Sequence, residues 1–174
     1  MNIVPLPESW RGRAMIVSDV ADAEAWFESV PSFPRAKRRQ EWMVSRIAEM
    51  ELRRHGATGE CVSFSHSGKY GAAAVDLHPI GIDVEMLREI SESAAHLFLN
   101  DDESEAMRRC SISHRMLHFW SAKEAQWKRL GGSLPTLKKV QVRFESEGPN
   151  GLRFQGVETF AIDDLVAALT LATS

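Results

Sequence analysis

The stretch Pro79-Ile80-Gly81-Ile82-Asp83-Val84-Glu85 alternates apolar and polar side chains with a period of two. Such alternation predicts a β-strand over Ile80 to Glu85. One face, built from Ile80, Ile82 and Val84, belongs in a core. The other carries Gly81 and then two carboxylates, Asp83 and Glu85. Like charges side by side on one face repel. Either that face is wet or something cationic sits against it.

Upstream of this strand, Met15 to Val20 reads as a short strand and Asp22 to Val30 as a turn or short helix. Arg35 to His55 reads as a helix with the apolar stripe Met43, Ile47 and Met50, stopped by Gly56. Its first half is basic: Arg35, Lys37, Arg38, Arg39 and Arg46. On charge alone a solvated helix face is the better reading than a phosphate site. Val62 to Phe64 predicts a strand leading into Ser65-His66-Ser67-Gly68, and Tyr70 to Val75 a second strand of small residues. Downstream, Asp101 to Arg108 is a helix with Asn100 or Asp101 as its cap. Ser113 to Leu130 is a longer helix, ended by Gly131 and Gly132. Val140 to Phe144, Leu152 to Phe154 and Leu165 to Leu171 are strands, with Glu147 to Gly151 as a turn between the first two.

The 174 residues, 44% hydrophobic and 26% charged with a net charge of -3, fit one domain or two small halves sharing a core. That balance excludes a global basic footprint for nucleic acid and a polybasic membrane signal. No run approaches the ~20 apolar residues of a membrane helix, and the opening MNIVPLPESWRGR has no apolar leader core. Cys61 and Cys110 have neither metal-ligand nor CxxC spacing, so they read as reduced thiols in a reducing compartment. The expected location is cytoplasmic.

The second constellation is FWSAKEAQWK, Phe119 to Lys128, in the long helix. Trp120, Glu124 and Lys128 are spaced i, i+4, i+8 along one side, with Lys123 bordering it. Taken alone, this is a tryptophan anchor plus a surface Glu–Lys pair worth ~0.3–0.5 kcal/mol. Together with the carboxylate strand it suggests more. Asp83, Glu85 and Glu124 can converge on one hard cation such as Mg²⁺, which takes oxygen ligands and keeps phosphate oxygens in its shell. Nearby lysines would neutralise the charge left on a metal-bound diphosphate.

FSHSGKYGAAAVDLHPIGIDVE, FLNDDESEA and FWSAKEAQWK, in that order, resemble the 4′-phosphopantetheinyl transferases, in particular the surfactin-type group, whose members form a pseudo-dimer within one chain. The family's SHS, GID-x-E and W-x-x-K-E-A-x-x-K motifs are all present, and the resemblance covers about Arg35 to Phe144. It implies an α+β fold: two similar α/β halves, each a long helix packed on a small, mostly antiparallel sheet. The boundary is expected near Pro79, giving residues 1–79 and 80–174 as halves of one unit. The length suggests a monomer.

The resemblance also implies an activity, that of a holo-acyl-carrier-protein synthase type of transferase. It moves the 4′-phosphopantetheine arm of coenzyme A onto a serine of an apo acyl, peptidyl or aryl carrier protein and leaves 3′,5′-ADP. Mg²⁺ is the implied cofactor, with Mn²⁺ as a substitute. Carried over by position, Asp83, Glu85 and Glu124 are the metal ligands. Ser65 and His66 contact the 3′-phosphate region of coenzyme A, and Lys123 and Lys128 face the diphosphate, Lys128 also as the acid for the leaving oxygen. Lys37 to Arg46 resembles the basic helix of the enterobactin-type and mycobacterial branch, which makes Arg38, Arg39 and Arg46 phosphate contacts. Glu103 helps to activate the attacking serine. Against the family pattern, only His55 to Val62 separates the basic helix from SHS, so the N-terminal half is expected to be shortened. Two alternatives stand beside the transferase: a catalytically weak module that binds a carrier protein or coenzyme A, and a Mg²⁺-dependent nucleotide hydrolase.

Overall fold

The computed structural model describes residues 1–171. The chain divides into two units, Met1–Pro79 and Ile80–Ser174. In the first, strands β1 (Asn2–Ile3) and β2 (Ala14–Ser18) are followed by helix α1 (Ala36–Arg54) and the hairpin β3 (Cys61–Ser67) and β4 (Tyr70–Asp76). The sheet is antiparallel in the order β1-β2-β4-β3. Helix α1 lies on it through Val44, Ala48 and Leu52, which pack with Met15, Val17, Ala73 and Val75. The small residues of β4 admit the helix closely: a Cβ on Gly71 would lie 2.5 Å from the Val44 carbonyl carbon.

The second unit starts with β5 (Ile82–Met86) and continues through α2 (Ala95–Phe98), α3 (Asp101–Arg109) and α4 (Arg115–Arg129). Strands β6 (Phe144–Glu147), β7 (Leu152–Phe154), β8 (Val157–Ile162) and β9 (Leu165–Thr170) complete an antiparallel sheet in the order β5-β9-β8-β7-β6. Asn100 caps α3 reciprocally with Glu103. Phe119 anchors α4: its ring meets Phe154 edge-on at 4.9 Å and stacks on Phe144 at 6.4 Å. Such ring pairs contribute ~0.5–1.5 kcal/mol beyond the area they bury.

Both sheets contain the same strand–helix–hairpin frame, β2-α1-β3-β4 and β5-α4-β8-β9. Each closing hairpin turns in two residues, between Ser67 and Tyr70 and between Ile162 and Leu165. Counting from those turns, Met15 opposes Ala73 as Asp83 opposes Ala168, and Val17 opposes Gly71 as Glu85 opposes Val166. The first unit therefore places two core side chains at the register positions where the second places its carboxylates.

Several expected elements differ. Val140 and Val142 are buried, but the strand there begins only at Phe144. There the Val142 N–H donates to the Glu103 side chain of α3 and not to a neighbouring strand. Ser65 and His66 lie inside β3, not in a loop after it; Gly68 (φ +54°) makes the turn. β8 escaped the sequence reading because Glu158 and Thr159 interrupt its apolar run. Both are buried with partners, Arg153 for Glu158 and the Leu152 backbone for Thr159.

His118 on α4 is 0% exposed. Its Nδ1 lies 2.8 Å from the Thr159 hydroxyl, which also contacts both backbone groups of Leu152. Burial first, and then the neighbouring His114, push its pKa down to about 4 from 6.5. The unfolded chain therefore binds this proton at higher pH than the folded one does. Stability should fall as pH drops from about 6.5 towards about 4, by up to ~3 kcal/mol from this residue. Urea denaturation across that range should show a limb that flattens in His118→Asn; an unchanged limb would remove His118 from the acid response.

Candidate functional site

The opening strand and the long helix meet where a side chain is missing. A Cβ on Gly81 would lie 1.8 Å from the Ala125 carbonyl oxygen of α4. The Gly81 N–H donates to the Thr170 hydroxyl at 2.8 Å and its carbonyl accepts from the Thr170 N–H at 2.9 Å. Glycine is therefore required here for close approach, and β5 is held to β9 at the same point. The helix turn bearing Glu124 and Lys128 is thereby set beside Asp83.

The carboxylate face is not wet. Asp83 is only 4% exposed, and Ile82 and Val84 on the other face are buried too. The cation that answers Asp83 belongs to the protein: Lys128 Nζ lies 2.8 Å from Asp83 Oδ1 and 3.0 Å from the Ile82 carbonyl. Glu124 shares this environment. Burial pushes its carboxyl above the ordinary range, the charges of Asp83 and then Glu85 act in the same direction, and Lys128 opposes them. Three carboxylates close enough for two of them to raise the proton affinity of Glu124 are a hard-oxygen donor set suited to Mg²⁺ or Mn²⁺. Among the described residues, no group of three or more His, Cys, Asp and Glu side chains already stands in a ligating arrangement. Arg88, exposed and 3.6 Å from Glu85, is a neighbour the sequence reading missed. Its position three residues beyond Glu85 was the available signal.

Lys123 and Glu103 are placed otherwise than expected. Lys123 is 0% exposed and Glu103 4% exposed, and the ammonium is bonded to Glu103 Oε2. Glu103 also accepts from the Asn100 N–H at 2.9 Å through Oε2 and from the Val142 N–H at 3.0 Å through Oε1. Burial pushes the Lys123 pKa down, and Glu103 opposes that push. The Glu103 carboxylate already accepts three hydrogen bonds, and the Lys123 ammonium is enclosed with it. The pair joins α3, α4 and the segment before β6. A cavity of about 380 Å³ lined by Asn100, Glu103, Arg109 and Arg143 opens beside it.

In the first unit, the basic helix is dispersed over several partners. Arg38 is exposed. Arg39 pairs with Glu24. Arg46 lies over the Phe64 ring, 3.4 Å from its centroid, and 3.9 Å from Glu49. Ser65 is buried, and His66 Nε2 is 3.7 Å from Glu41 Oε2.

Two outcomes check these placements. Gly81→Ala should destabilise the fold by ~3 kcal/mol, as overpacking against a backbone carbonyl does; a melting curve matching the parent's would mean α4 can yield. Glu103→Ala should cost ~3–5 kcal/mol by leaving Lys123 buried and unpaired. A Glu103 acting only as a base would leave thermal melting unchanged while slowing the reaction.

Comparison with known proteins places these motifs. The sequence profile of the 4′-phosphopantetheinyl transferase superfamily matches residues 79–170. The transferase psf-1 of Bacillus pumilus is 30% identical over 111 residues, 58% of this chain and 48% of that protein. The transferase Sfp of Bacillus subtilis (strain 168) is 35% identical over 91 residues, 49% of this chain and 40% of that protein. The matches thus span less than half of either relative's length. A solved structure, the holo-[acyl-carrier-protein] synthase (AcpS) of Thermotoga maritima, aligns with a TM-score of 0.41 at 20% identity, over 52% of this chain and 60% of that one. That likeness is too loose to carry an argument. The profile match takes in more than half of the chain and contains both the carboxylate strand and the lysine helix, and the chain belongs to the 4′-phosphopantetheinyl transferase superfamily.

Proposed function

We propose that the chain transfers the 4′-phosphopantetheine arm of coenzyme A to a serine of an apo carrier protein, with Mg²⁺ or Mn²⁺ at Asp83, Glu85 and Glu124. The observation that carries this reading is the buried carboxylate–lysine cluster of β5 and α4, which lies within the stretch that matches the family. Its location would be cytoplasmic; among the described residues, no helix is long and apolar enough to cross a membrane.

In the reaction, the serine Oγ forms a bond to the phosphorus that bears pantetheine. The bond from that phosphorus to the bridging oxygen of 3′,5′-ADP breaks, and the serine proton is lost to a base. A bound divalent cation would supply charge neutralisation at the diphosphate. The chain's own groups do the rest. Asp83, Glu85 and Glu124 hold the cation's side of the substrate. Glu124 would also take the serine proton, through a water. Lys128 carries the positive charge, and the proton, for the departing phosphate oxygen.

In the first unit, Arg38, Arg39, Arg46, Ser65 and His66 are proposed for the 3′-phosphate of coenzyme A. The partner of Arg39 supports this: its ion pair with Glu24 is exposed and worth ~0–1 kcal/mol, so a phosphate can take it over. The ring beneath Arg46 fixes the plane of its guanidinium.

Mass spectrometry of apo acyl, peptidyl and aryl carriers incubated with the protein, coenzyme A and Mg²⁺ tests the proposal. The expected outcome is a phosphopantetheine mass gain on a carrier, lost in EDTA and lowered ~10²-fold or more by Asp83→Ala. Carrier binding without a mass gain would make it a binding module. Coenzyme A cleavage without carrier modification would make it a hydrolase.

A further inference from the structure

We propose that Lys128 and the divalent cation are rivals for the Asp83 carboxylate, so that filling the metal site releases the Lys128 ammonium towards the phosphate side of the substrate. This deepens the reading of Asp83, Glu85 and Glu124 as metal ligands and rests on it.

The argument starts from the contact itself. Lys128 Nζ is at hydrogen-bond distance from Asp83 Oδ1, 2.8 Å, and its side chain is 22% exposed against 6% for Asp83. The ammonium is thus committed inside the carboxylate cluster. A divalent cation bound by the same carboxylate would stand within a few ångströms of that ammonium, and like charges at such range in a half-buried place repel strongly. One of them must yield. The doubly charged metal gains more from these carboxylates than the singly charged ammonium does, although the ammonium also holds the Ile82 carbonyl. The lysine is also the mobile party, a point charge on a flexible four-carbon stem. Its base is fixed, because Gly81 holds the α4 backbone against β5, so the ammonium can swing only locally. In this arrangement the charge needed at the leaving group is stored on a metal ligand and released when the metal arrives.

The consequence separates this role from that of an ordinary phosphate-binding lysine. Removing Lys128 should slow transfer yet tighten metal binding. A positive charge 2.8 Å from the carboxylate repels any other cation that approaches it, and removing that charge removes the repulsion. Lys128→Met should therefore lower the Kd for Mn²⁺ by roughly tenfold or more.

The experiment is Mn²⁺ titration of the protein without coenzyme A, with free Mn²⁺ followed by electron paramagnetic resonance. It is run on the parent, Lys128→Met, Asp83→Asn and the double variant, with thermal melting to confirm folding. The proposal expects tighter binding in Lys128→Met and no such gain when Asp83→Asn is also present. An equal or weaker affinity in Lys128→Met overturns the rivalry. Unchanged Mn²⁺ affinity in Asp83→Asn overturns the metal assignment itself, whatever Lys128 does. A second measurement needs no variant: acetylation of the parent with acetic anhydride, read by peptide mass mapping. Lys128 should be labelled several-fold faster with saturating Mg²⁺ than without it. Labelling that is unchanged or slower also overturns the rivalry.

Discussion

One close approach governs the second unit: the Ala125 carbonyl of α4 occupies the space that a side chain at residue 81 would fill. The consequences follow from helix geometry. Glu124 precedes the contact residue by one position and Lys128 follows it by three, so both ride on the turn that Gly81 admits. Asp83 is two residues further along the strand and points to the same face as Gly81. The glycine therefore acts on the chemistry by setting the distance between two elements, without itself touching a reacting group. Thr170, bonded to both backbone groups of Gly81, keeps the strand from moving away.

The two lysines of the helix motif show how burial sorts like side chains into different work. Lys123 is enclosed beside Glu103, which also accepts from two backbone N–H groups. Breaking such a pair leaves an uncompensated charge, so it holds α3, α4 and the Val142 segment in place. Lys128 is partly exposed and has a route to water, so its partner can be exchanged. A motif read as two phosphate-facing lysines has, in three dimensions, one lysine enclosed beside Glu103 and one partly exposed beside Asp83.

The sequence showed the strand–helix frame clearly because its signals are local. Period-two alternation marked β5, helix spacing put Glu124 and Lys128 on one side of α4, and Asn100 or Asp101 as cap marked the start of α3. It could not show which lysine is buried, since Lys123 and Lys128 differ only in what packs over them. The fate of Glu103 was hidden for the same reason: its partner at Val142 is 39 residues away. β8 was lost because its polar residues are satisfied by residues on other elements, which no alternation rule anticipates. Periodicity left the carboxylate face of β5 either wet or against a cation; the structure buries Asp83 there and leaves Glu85 partly exposed.

The two sheets make the cost of the site visible. At the register of Asp83 and Glu85, the first unit carries Met15 and Val17, packed against α1 in an apolar cluster. Burying side chains of that kind contributes ~1.5–3 kcal/mol each. The second unit forgoes that burial and accepts mutual repulsion among Asp83, Glu85 and Glu124, visible in the raised proton affinity of Glu124. A frame can tolerate this only if its remaining contacts are strong and the charge is answered. The ring packing around Phe119, the Glu103–Lys123 cross-link and the Gly81 contact supply the first condition. Lys128 supplies the second. The same ammonium that makes the cluster tolerable in the folded chain is the one proposed for the departing phosphate, and a cation can stabilise a buried carboxylate or a leaving oxygen but not fully both at once.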